Sequence, residues 1–381
     1  MKYDYIIAGS GCAGLSLLHA LLHTPSLQNK SILVIDQDSK KRNDRTWCYW
    51  EKQPGLFEPI VHAQWNTLEF LTTDFKKELD LGAYTYKMIQ GIDFYNFVLN
   101  TAKQCKNVTF VQETIFSIDA ETTVVTTNKN SYTATYIFNS TPLFNPKITE
   151  KNSLLQHFKG WVIQTKEPVF DPKVGRLMDF SLSQENGATF MYVLPTSTTE
   201  ALVEYTLFSP KLLNKDAYTV ALEKYLKETL KIEEYTLLHE EFGVIPMSLA
   251  QFEKQASTAI INLGTAGGFT KSSSGYTFQF IQKNVADIVQ NLKAGKNPKQ
   301  PNSFKDNVYQ WYDRTLIDVL LTKKLTGKEV FTNIFQKVSA EKILAFLGNE
   351  STLIEDFTIM KSLPLIPFLT SGIQQLRIKK S

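Results

Sequence analysis

The sequence predicts a doubly wound α/β fold interrupted by a mainly antiparallel β-sheet domain and followed by a helical C-terminal region. Three observations support this. A buried strand runs into a glycine-rich turn and a helix within residues 5–22, a series of short strands begins near residue 160, and a second glycine-rich strand-to-helix turn follows residue 263. Strands that alternate with helices are typical of a parallel sheet, whereas successive strands joined by polar turns are typical of an antiparallel one.

The first unit carries a nucleotide-binding pattern. The strand Tyr5–Ala8 runs into Gly9-Ser10-Gly11-Cys12-Ala13-Gly14, and a second strand, 31–35, ends at Asp36. This is the G-x-G-x-x-G fingerprint in its strand, turn, helix and strand context. Gly9 allows the turn, Gly11 leaves room for a pyrophosphate at the positive helix end, Gly14 permits close packing, and Asp36 can bind the ribose. We predict a Rossmann-type dinucleotide site. The pattern does not separate FAD from NAD, although its N-terminal position is typical of flavoproteins.

The residue pattern in the middle of the chain differs from that of the first unit. A helix is predicted over 92–105, whereas residues 40–50 mix charges with large aromatic side chains and fit neither a clean strand nor a clean helix. From residue 160 onward we predict the strands 160–165, 174–178, 189–194 and 201–208. An amphipathic helix over 211–231 is expected to cover this sheet.

Near residue 260 the doubly wound pattern returns. The strand Ala259–Leu263 meets Gly264-Thr265-Ala266-Gly267-Gly268, then Gly275, before another helix. Such a turn lets the backbone approach a cofactor, so Gly264, Gly267, Gly268 and Gly275 are predicted binding residues. The nucleotide domain is therefore expected to be discontinuous. We predict residues 1–150 and 256–295 as its two parts, 151–255 as the substrate-binding sheet domain and 296–381 as the helical region.

Composition narrows the function classes. The 381 residues are 43% hydrophobic and carry a formal charge of +3, which gives no general nucleic-acid footprint. Three scattered cysteines fit a reducing cytosol, and no apolar run approaches the ~20 residues of a membrane-spanning helix. No signal peptide is expected before the first strand, so we expect any membrane contact to be peripheral. His19 and His23 have a metal-compatible spacing but no third ligand, and no metal site is predicted.

Several segments resemble one enzyme family, the lycopene cyclases. Asn43-Asp44-Arg45-Thr46-Trp47-Cys48-Tyr49-Trp50 is similar to its N-D-R-T-W-C-F-W segment, with one Phe-to-Tyr change. Ala201-Leu202-Val203-Glu204-Tyr205-Thr206 is similar to its F-L-E-E-T motif, with Tyr205 in place of the second acid. The loop at 264–276 resembles its G-x-A-G-G…P-x-T-G-Y loop, with Ser272 and Ser274 in place of Pro and Thr. Further matches lie at 156–161, 177–180, 190–195 and 363–368.

The resemblance implies a redox-neutral cyclisation of lycopene, with reduced FAD bound and NAD(P)H as its reductant. A proton must reach a terminal alkene, so a carboxylic acid must stay protonated at neutral pH, which an apolar pocket favours. Glu204 is the predicted general acid. The resulting cation needs electron density nearby, for which an anionic reduced flavin and aromatic faces are candidates. The candidate residues for cation stabilisation or catalysis are Tyr192, Tyr205, Trp47, Trp50, Asp44 and Arg45, and Arg45 is also a candidate to hold the cofactor.

The residues leave three points open. A FAD-dependent monooxygenase or a prenyl or polyene reductase has the same architecture, although Thr265 occupies the position of the Asp in the usual flavoprotein G-D-A loop. A non-enzymatic carotenoid-binding protein is a third alternative, and the intact nucleotide-binding pattern argues against it. The resemblance alone favours a β ring over an ε ring as the product. For substrate access, Leu363, Leu365, Ile366, Phe368 and Leu369, followed by Arg377, Lys379 and Lys380, suit a membrane interface, or else a packed helix. We expect a cytoplasmic protein peripherally associated with the cytoplasmic membrane.

Overall fold

The computed structural model describes residues 2–299 and 303–378. The elements of the first half, in chain order, are β1 (Lys2–Ala8), α1 (Cys12–Leu22), β2 (Ile32–Asp36), β3 (Thr46–Glu51), β4 (Ala63–Trp65), β5 (Thr67–Leu71), β6 (Lys76–Asp80), β7 (Thr85–Gln90), α2 (Gly91–Ala102), β8 (Val108–Gln112), β9 (Ile115–Ile118), β10 (Val124–Thr127) and β11 (Ser131–Asn139). Those of the second half are β12 (Ser153–Gln164), β13 (Val174–Asp179), β14 (Ala188–Pro195), β15 (Glu200–Ser209), α3 (Lys215–Glu228), β16 (Thr236–Ser248), β17 (Ile260–Asn262), α4 (Phe278–Lys293), α5 (Phe304–Leu321), α6 (Gly327–Lys337), α7 (Ala340–Leu347), α8 (Leu353–Ser362) and α9 (Leu365–Ile378).

The first large sheet is the nucleotide-binding sheet. Its strand order is β8-β2-β1-β11-β10-β9, and β17 pairs with β11 in parallel. β1, β2, β8 and β11 are also parallel neighbours, and α1 packs between this sheet and α2 and α4. β17 lies far from β1 in the sequence, yet it completes the same sheet. The predicted doubly wound α/β fold class is confirmed by this topology.

The second large sheet is mainly antiparallel, in the order β16-β12-β15-β14-β13-β5-β6. Its parallel pair, β5 with β13, brings in residues 67–80, which lie inside the range 1–150 predicted for the nucleotide domain. The substrate sheet therefore draws on two separate stretches of sequence. α3 covers one face of it through Tyr218, Leu222, Tyr225 and Leu226.

A small sheet, in the order β3-β7-β4, lies beside the two large ones. Its strand β3 corrects the expectation that residues 40–50 form neither a strand nor a helix. The aromatic side chains of β3 hid its alternation because both faces are covered: Tyr49 stacks on Phe278, while Trp50 donates a hydrogen bond of 3.0 Å to the Leu344 carbonyl.

The C-terminal region is helical, as predicted. Three of its helices, α5, α6 and α8, are N-capped by Ser303, Thr326 and Thr352, whose side chains accept a hydrogen bond from the backbone N–H three residues on. An acid at that third position returns the bond, which is the reciprocal capping box. In the part of the chain that is described, no helix is both long and apolar enough to cross a bilayer.

Candidate active site

A cavity of about 750 Å³ connects the nucleotide-binding turn to the substrate sheet. Gly9, Gly11 and Asp36 line one part of it, and Tyr192, Leu202 and Glu204 line the other. β3 contributes Thr46, Trp47 and Cys48 between the two parts. This volume is in the range of sites that bury a small molecule. The candidate acid and the candidate cofactor turn therefore border one continuous cavity.

The first glycine turn has the geometry that a dinucleotide phosphate requires. Gly9 has a φ of +100°, which a residue with a side chain rarely adopts, and a Cβ at Gly14 would collide with the carbonyl oxygen of Gly9. A Cβ at Gly11, in contrast, would meet no atom within 4 Å, because Gly11 borders the cavity. No side chain caps the start of α1, so its first N–H groups are free for an anionic ligand.

Asp36 ends β2 and borders the same part of the cavity. Its Oδ2 accepts hydrogen bonds from the Ser10 backbone N–H at 2.7 Å and from Ser10 Oγ at 2.9 Å. Lys40 Nζ lies 3.5 Å from the same oxygen. Asp36 thus fixes the turn as well as lying where a ribose hydroxyl would be bound.

Only two of the four predicted glycines of the second turn line the cavity. Gly264 and Gly275 line the cavity with φ of +53° and +74°. Gly267 and Gly268 shape the turn without lining the cavity, because a Cβ at Gly267 would strike the Asn262 carbonyl oxygen and Gly268 has a φ of +74°.

Two polar atoms of the cavity wall have no hydrogen-bond partner among the described residues: the side-chain oxygens of Gln156 and Ser274. Buried polar groups are normally paired, so two unpaired oxygens in the wall beside the second glycine turn are consistent with a site whose polar ligand, such as a dinucleotide, completes the hydrogen bonding. Together with the free N–H groups at the start of α1 and the open space at Gly11, they fit FAD.

Glu204 is buried in the cavity wall and is 9% exposed. Its Oε1 accepts a hydrogen bond of 2.7 Å from Thr206 Oγ1, and no cation forms an ion pair with it among the described residues. Burial, together with the negative charge of Glu241, raises the pKa of Glu204 to about 8 against the opposing effect of the Thr206 hydrogen bond. The carboxyl group is therefore held largely neutral near pH 7, as an acid for alkene protonation must be.

Glu241, on β16, is a second buried carboxyl group that the sequence analysis missed. It is 7% exposed, lines the cavity, and accepts a hydrogen bond of 2.8 Å from Thr46 Oγ1 at its Oε2. Burial raises the pKa of Glu241 to about 7, opposed by hydrogen bonding to Thr46 and by the charge of Arg45. In the sequence Glu241 is the second of two adjacent acids, Glu240-Glu241, that follow His239, and nothing there distinguished it from a solvent-facing acid or linked it to Glu204.

Aromatic side chains surround the acids. Tyr192 lies opposite Glu204 on the neighbouring strand β14, and both Tyr192 and Tyr276 line the cavity. The Tyr86 hydroxyl is 3.2 Å from the Tyr276 hydroxyl. Trp47 borders the cavity and packs edge-on against Phe94 at 5.2 Å between ring centroids. Tyr192 and Trp47 were predicted at the site, whereas Tyr86 and Tyr276 were not predicted as its residues.

Three candidate residues lie outside the cavity lining. Tyr205 follows Glu204 on β15, and because neighbouring residues of a strand face opposite sides, it packs under α3 near Tyr218. Tyr205 was predicted as a site residue, but its side chain does not line the cavity. Trp50 stands behind the wall, edge-on to Tyr276 at 4.5 Å, and Asp44 accepts a hydrogen bond of 2.9 Å from the Tyr95 hydroxyl.

Arg45 lies at the cavity edge, with its side chain half exposed and 3.9 Å from Asp44. Its backbone carbonyl accepts a hydrogen bond of 2.7 Å from the Gly91 N–H. A Cβ at Gly91 would come within 2.8 Å of that carbonyl oxygen, so glycine allows β3 to dock there. The segment from Arg45 to Trp47 is thereby fixed between the acids and the nucleotide turn.

Comparison with known sequences agrees with the resemblance noted above. A sequence model described as lycopene cyclase protein matches residues 4–372. The lycopene beta-cyclase of Paracoccus sp. (strain N81106 / MBIC 01143) is 24% identical over 310 residues, which are 77% of this chain and 75% of that protein.

Comparison with solved structures supports the fold. A flavoprotein/dehydrogenase from Cytophaga hutchinsonii has a TM-score of 0.67 at 12% identity, with 99% of this chain and 100% of that chain covered. A geranylgeranyl bacteriochlorophyll reductase-like protein from Thermoplasma acidophilum has a TM-score of 0.62 at 12% identity, with 99% of both chains covered. At such identities the likeness concerns the architecture alone.

Proposed function

The chain belongs to the lycopene cyclase family, and we propose that it is an isomerase that closes the ends of lycopene into β-ionone rings. The products would be γ-carotene and then β-carotene, with no net oxidation. The observation that carries this proposal is the burial of the Glu204 carboxyl group, with no cation paired to it among the described residues, in a cavity that extends to the nucleotide turn.

Glu204 would start the reaction as the general acid. It gives its proton to the terminal alkene, and the resulting tertiary cation is attacked by the neighbouring double bond, which closes the ring. A protonated acid in a dry cavity can transfer a proton to carbon without competition from bulk water. Thr206 orients the carboxyl group by donating to Oε1, which leaves Oε2 for the proton.

The cation would be stabilised from several sides. Trp47, Tyr192 and Tyr276 line the cavity, and aromatic rings at these positions would offer electron density to a cation there. We propose that FAD binds at Gly9, Gly11, Asp36, Gly264 and Gly275, with Arg45 at the edge. When reduced by NAD(P)H it would supply an electron-rich ring to the same space.

Pigment analysis of lycopene-producing cells tests this proposal. Cells that express the wild-type chain should convert lycopene to cyclic carotenoids, whereas Glu204→Gln should retain bound FAD and lose at least about 100-fold of the product. Tyr205→Phe is the matched control, because it changes the adjacent residue on the opposite face of β15, and it should cyclise like the wild type. Full activity of Glu204→Gln would refute the acid assignment.

The alternative reactions of this fold differ in their use of reductant. A monooxygenase or a prenyl reductase consumes NAD(P)H in proportion to product, whereas a cyclase needs it only to bring FAD to the reduced state. Purified protein with lycopene should therefore form rings in large excess over the NAD(P)H oxidised. Stoichiometric oxidation would favour the alternative.

We further propose peripheral contact with the cytoplasmic membrane, where lycopene dissolves. Two consecutive helices leave large apolar side chains in solvent: Leu353, Ile354 and Phe357 on α8, and Leu365, Ile366 and Leu369 on α9. Apolar area of this kind suits an interfacial position. Phe368 and Leu363 are partly buried, Lys379 and Lys380 lie outside the described residues, and the Arg377 side chain is likewise not described.

A further inference from the structure

We propose that Glu241 is the catalytic base of this reaction and removes the proton that leaves the ring after Glu204 has delivered one. This inference rests on the proposed function. A redox-neutral cyclisation adds one proton and removes another, so it needs an acceptor as well as a donor. Glu241 lies outside the motif in which Tyr205 replaces the second acid.

Strand register brings the two acids onto one face of the substrate sheet. Gly160, on β12, pairs with Glu204 on β15 and with Glu241 on β16. Residues in register across neighbouring strands point to the same side, and three adjacent strands separate the outer two by about 10 Å at their backbones. Long side chains from both positions can therefore approach one substrate end from opposite sides.

Gly160 is the residue that leaves this space open. A Cβ at that position would lie 3.2 Å from Glu241 Cγ and 3.4 Å from its Oε1. The Glu241 side chain thus lies over Gly160, in the direction of Glu204, where any other residue would place a side chain. A glycine within a strand weakens the sheet. Here the missing side chain leaves room for the two acids to approach each other.

The surroundings divide the roles between the two carboxyl groups. Thr46 donates a hydrogen bond to Glu241, and the Arg45 charge lies on that side, so the negative charge of the pair is favoured on Glu241. Glu204 has its single Thr206 hydroxyl and no such cation, so the proton is favoured there. The negative charge of Asp44, beside Arg45, raises the pKa of Glu241 and opposes part of the Arg45 effect, so the Thr46 hydrogen bond carries much of the preference. The other groups that face the pair are Cys48, Tyr86, Tyr192 and Tyr276, all of which are neutral because burial raises their pKa.

The proton balance closes within the pair. The protonated Glu204 forms the new C–H bond at the chain end and becomes a carboxylate. After ring closure, the Glu241 carboxylate takes the proton from the ring carbon that bears the polyene, and the electrons of that C–H bond form the ring double bond. Glu241 is then protonated, and return of this proton to Glu204 restores the starting state without any external oxidant or reductant.

Three variants of the full-length holoenzyme test the assignment, with β-ring formation from lycopene and FAD content as readouts. Glu241→Gln should keep FAD and lower β-ring formation about 100-fold or more, while Glu241→Asp, a base set back by one methylene group, should recover about tenfold of that loss and stay about tenfold below the wild type. Glu240→Gln is the control, because Glu240 faces the other side of β16, half exposed beside Lys159, and should behave like the wild type.

The outcomes separate the two proposals. If Glu204→Gln is inactive but Glu241→Gln forms β rings within threefold of Glu240→Gln, the inference is overturned and the proposed function stands. Equal inactivity of Glu241→Asp and Glu241→Gln also overturns it, since a carboxylate would then not be what the site requires. If Glu241→Gln does not accumulate folded with FAD, Glu241→Asp decides alone: a loss of about tenfold supports the base and an unchanged rate overturns it. A wild type that forms no cyclic carotenoid refutes the proposed function itself.

Discussion

The ionisation of Glu204 should limit the reaction at high pH. Burial, together with the charge of Glu241, raises the pKa of this carboxyl group to about 8, so the proton needed by the alkene is lost above that value. We expect the rate of cyclisation in vesicles to fall about tenfold per pH unit above pH ~8. A rate that is flat through this range would show that Glu204 is not the proton donor.

The same ionisation has a consequence for stability. Because the folded state raises the pKa of Glu204 from 4.5, its contribution to the free energy of unfolding is fully present below pH about 4.5 and is lost as the pH rises through about 8. Glu204→Gln cannot ionise. Its Tm should therefore fall less than that of the wild type between pH ~6 and ~9, as measured by calorimetry with Tyr205→Phe as control.

Gly11 offers a test of cofactor binding that leaves the fold intact. Its φ of −76° and ψ of −169° suit any residue, and a Cβ there meets nothing within 4 Å. Gly11→Val should therefore fold with a stability within about 0.5 kcal/mol of the FAD-free wild type, while its side chain fills the phosphate space. Flavin absorbance after purification should fall below about a tenth of the wild-type value. Gly14→Val, in contrast, should fail to fold, and normal FAD content in Gly11→Val would contradict the placement of the phosphates.

Among the elements, those formed by local sequence could be predicted and those formed by distant pairing could not. The turn from β1 to α1 and the acid at the end of β2 lie within one continuous stretch, so the fingerprint sufficed. Glu204 came from its motif. Glu241 did not, because its position depends on β16 lying beside β12, and the segment Thr236–Ser248 carries a glycine, a proline and no regular alternation. The pairing of β5 with β13 is equally non-local.

The interface between β12 and α3 contains a buried histidine that should lower the stability of the substrate sheet at acid pH. The two ring nitrogens of His157 lie 2.6 Å from the Tyr218 hydroxyl and 2.7 Å from Ser209 Oγ. Burial lowers the pKa of His157 to about 4 from 6.5, so its contribution to stability is present above pH about 6.5 and is lost as the pH falls through about 4. His157→Gln should be less stable at pH 7 but lose less Tm between pH ~6.5 and ~4. The same acid dependence in both proteins would exclude His157 as its source.

At the scale of the whole molecule, the helical region holds the cofactor turn in place. Lys271, in the loop that follows Gly268, is buried and forms an ion pair of 2.8 Å with Asp313 on α5 and a hydrogen bond of 2.9 Å with Asn349. A buried cation without its partner costs several kcal/mol, so α5 cannot move away without releasing this loop. The outer helices α8 and α9 belong to the same helical region, so the proposed membrane contact is structurally connected to the site.

That contact gives the last prediction. Transfer of an exposed aliphatic side chain from water to the bilayer interior contributes about 1.5–3 kcal/mol, so two such residues should decide whether the protein stays on a membrane. Ile366→Glu combined with Leu369→Glu should reduce co-flotation with anionic phospholipid vesicles at least tenfold, and should slow cyclisation of vesicle-borne lycopene while FAD stays bound. Phe116→Glu is the control, because Phe116 is also exposed but lies on β9 of the nucleotide sheet. Equal flotation of the double variant and this control would exclude α9 as the membrane contact, and release of the wild type by high salt alone would indicate that charge, and not apolar contact, holds it there.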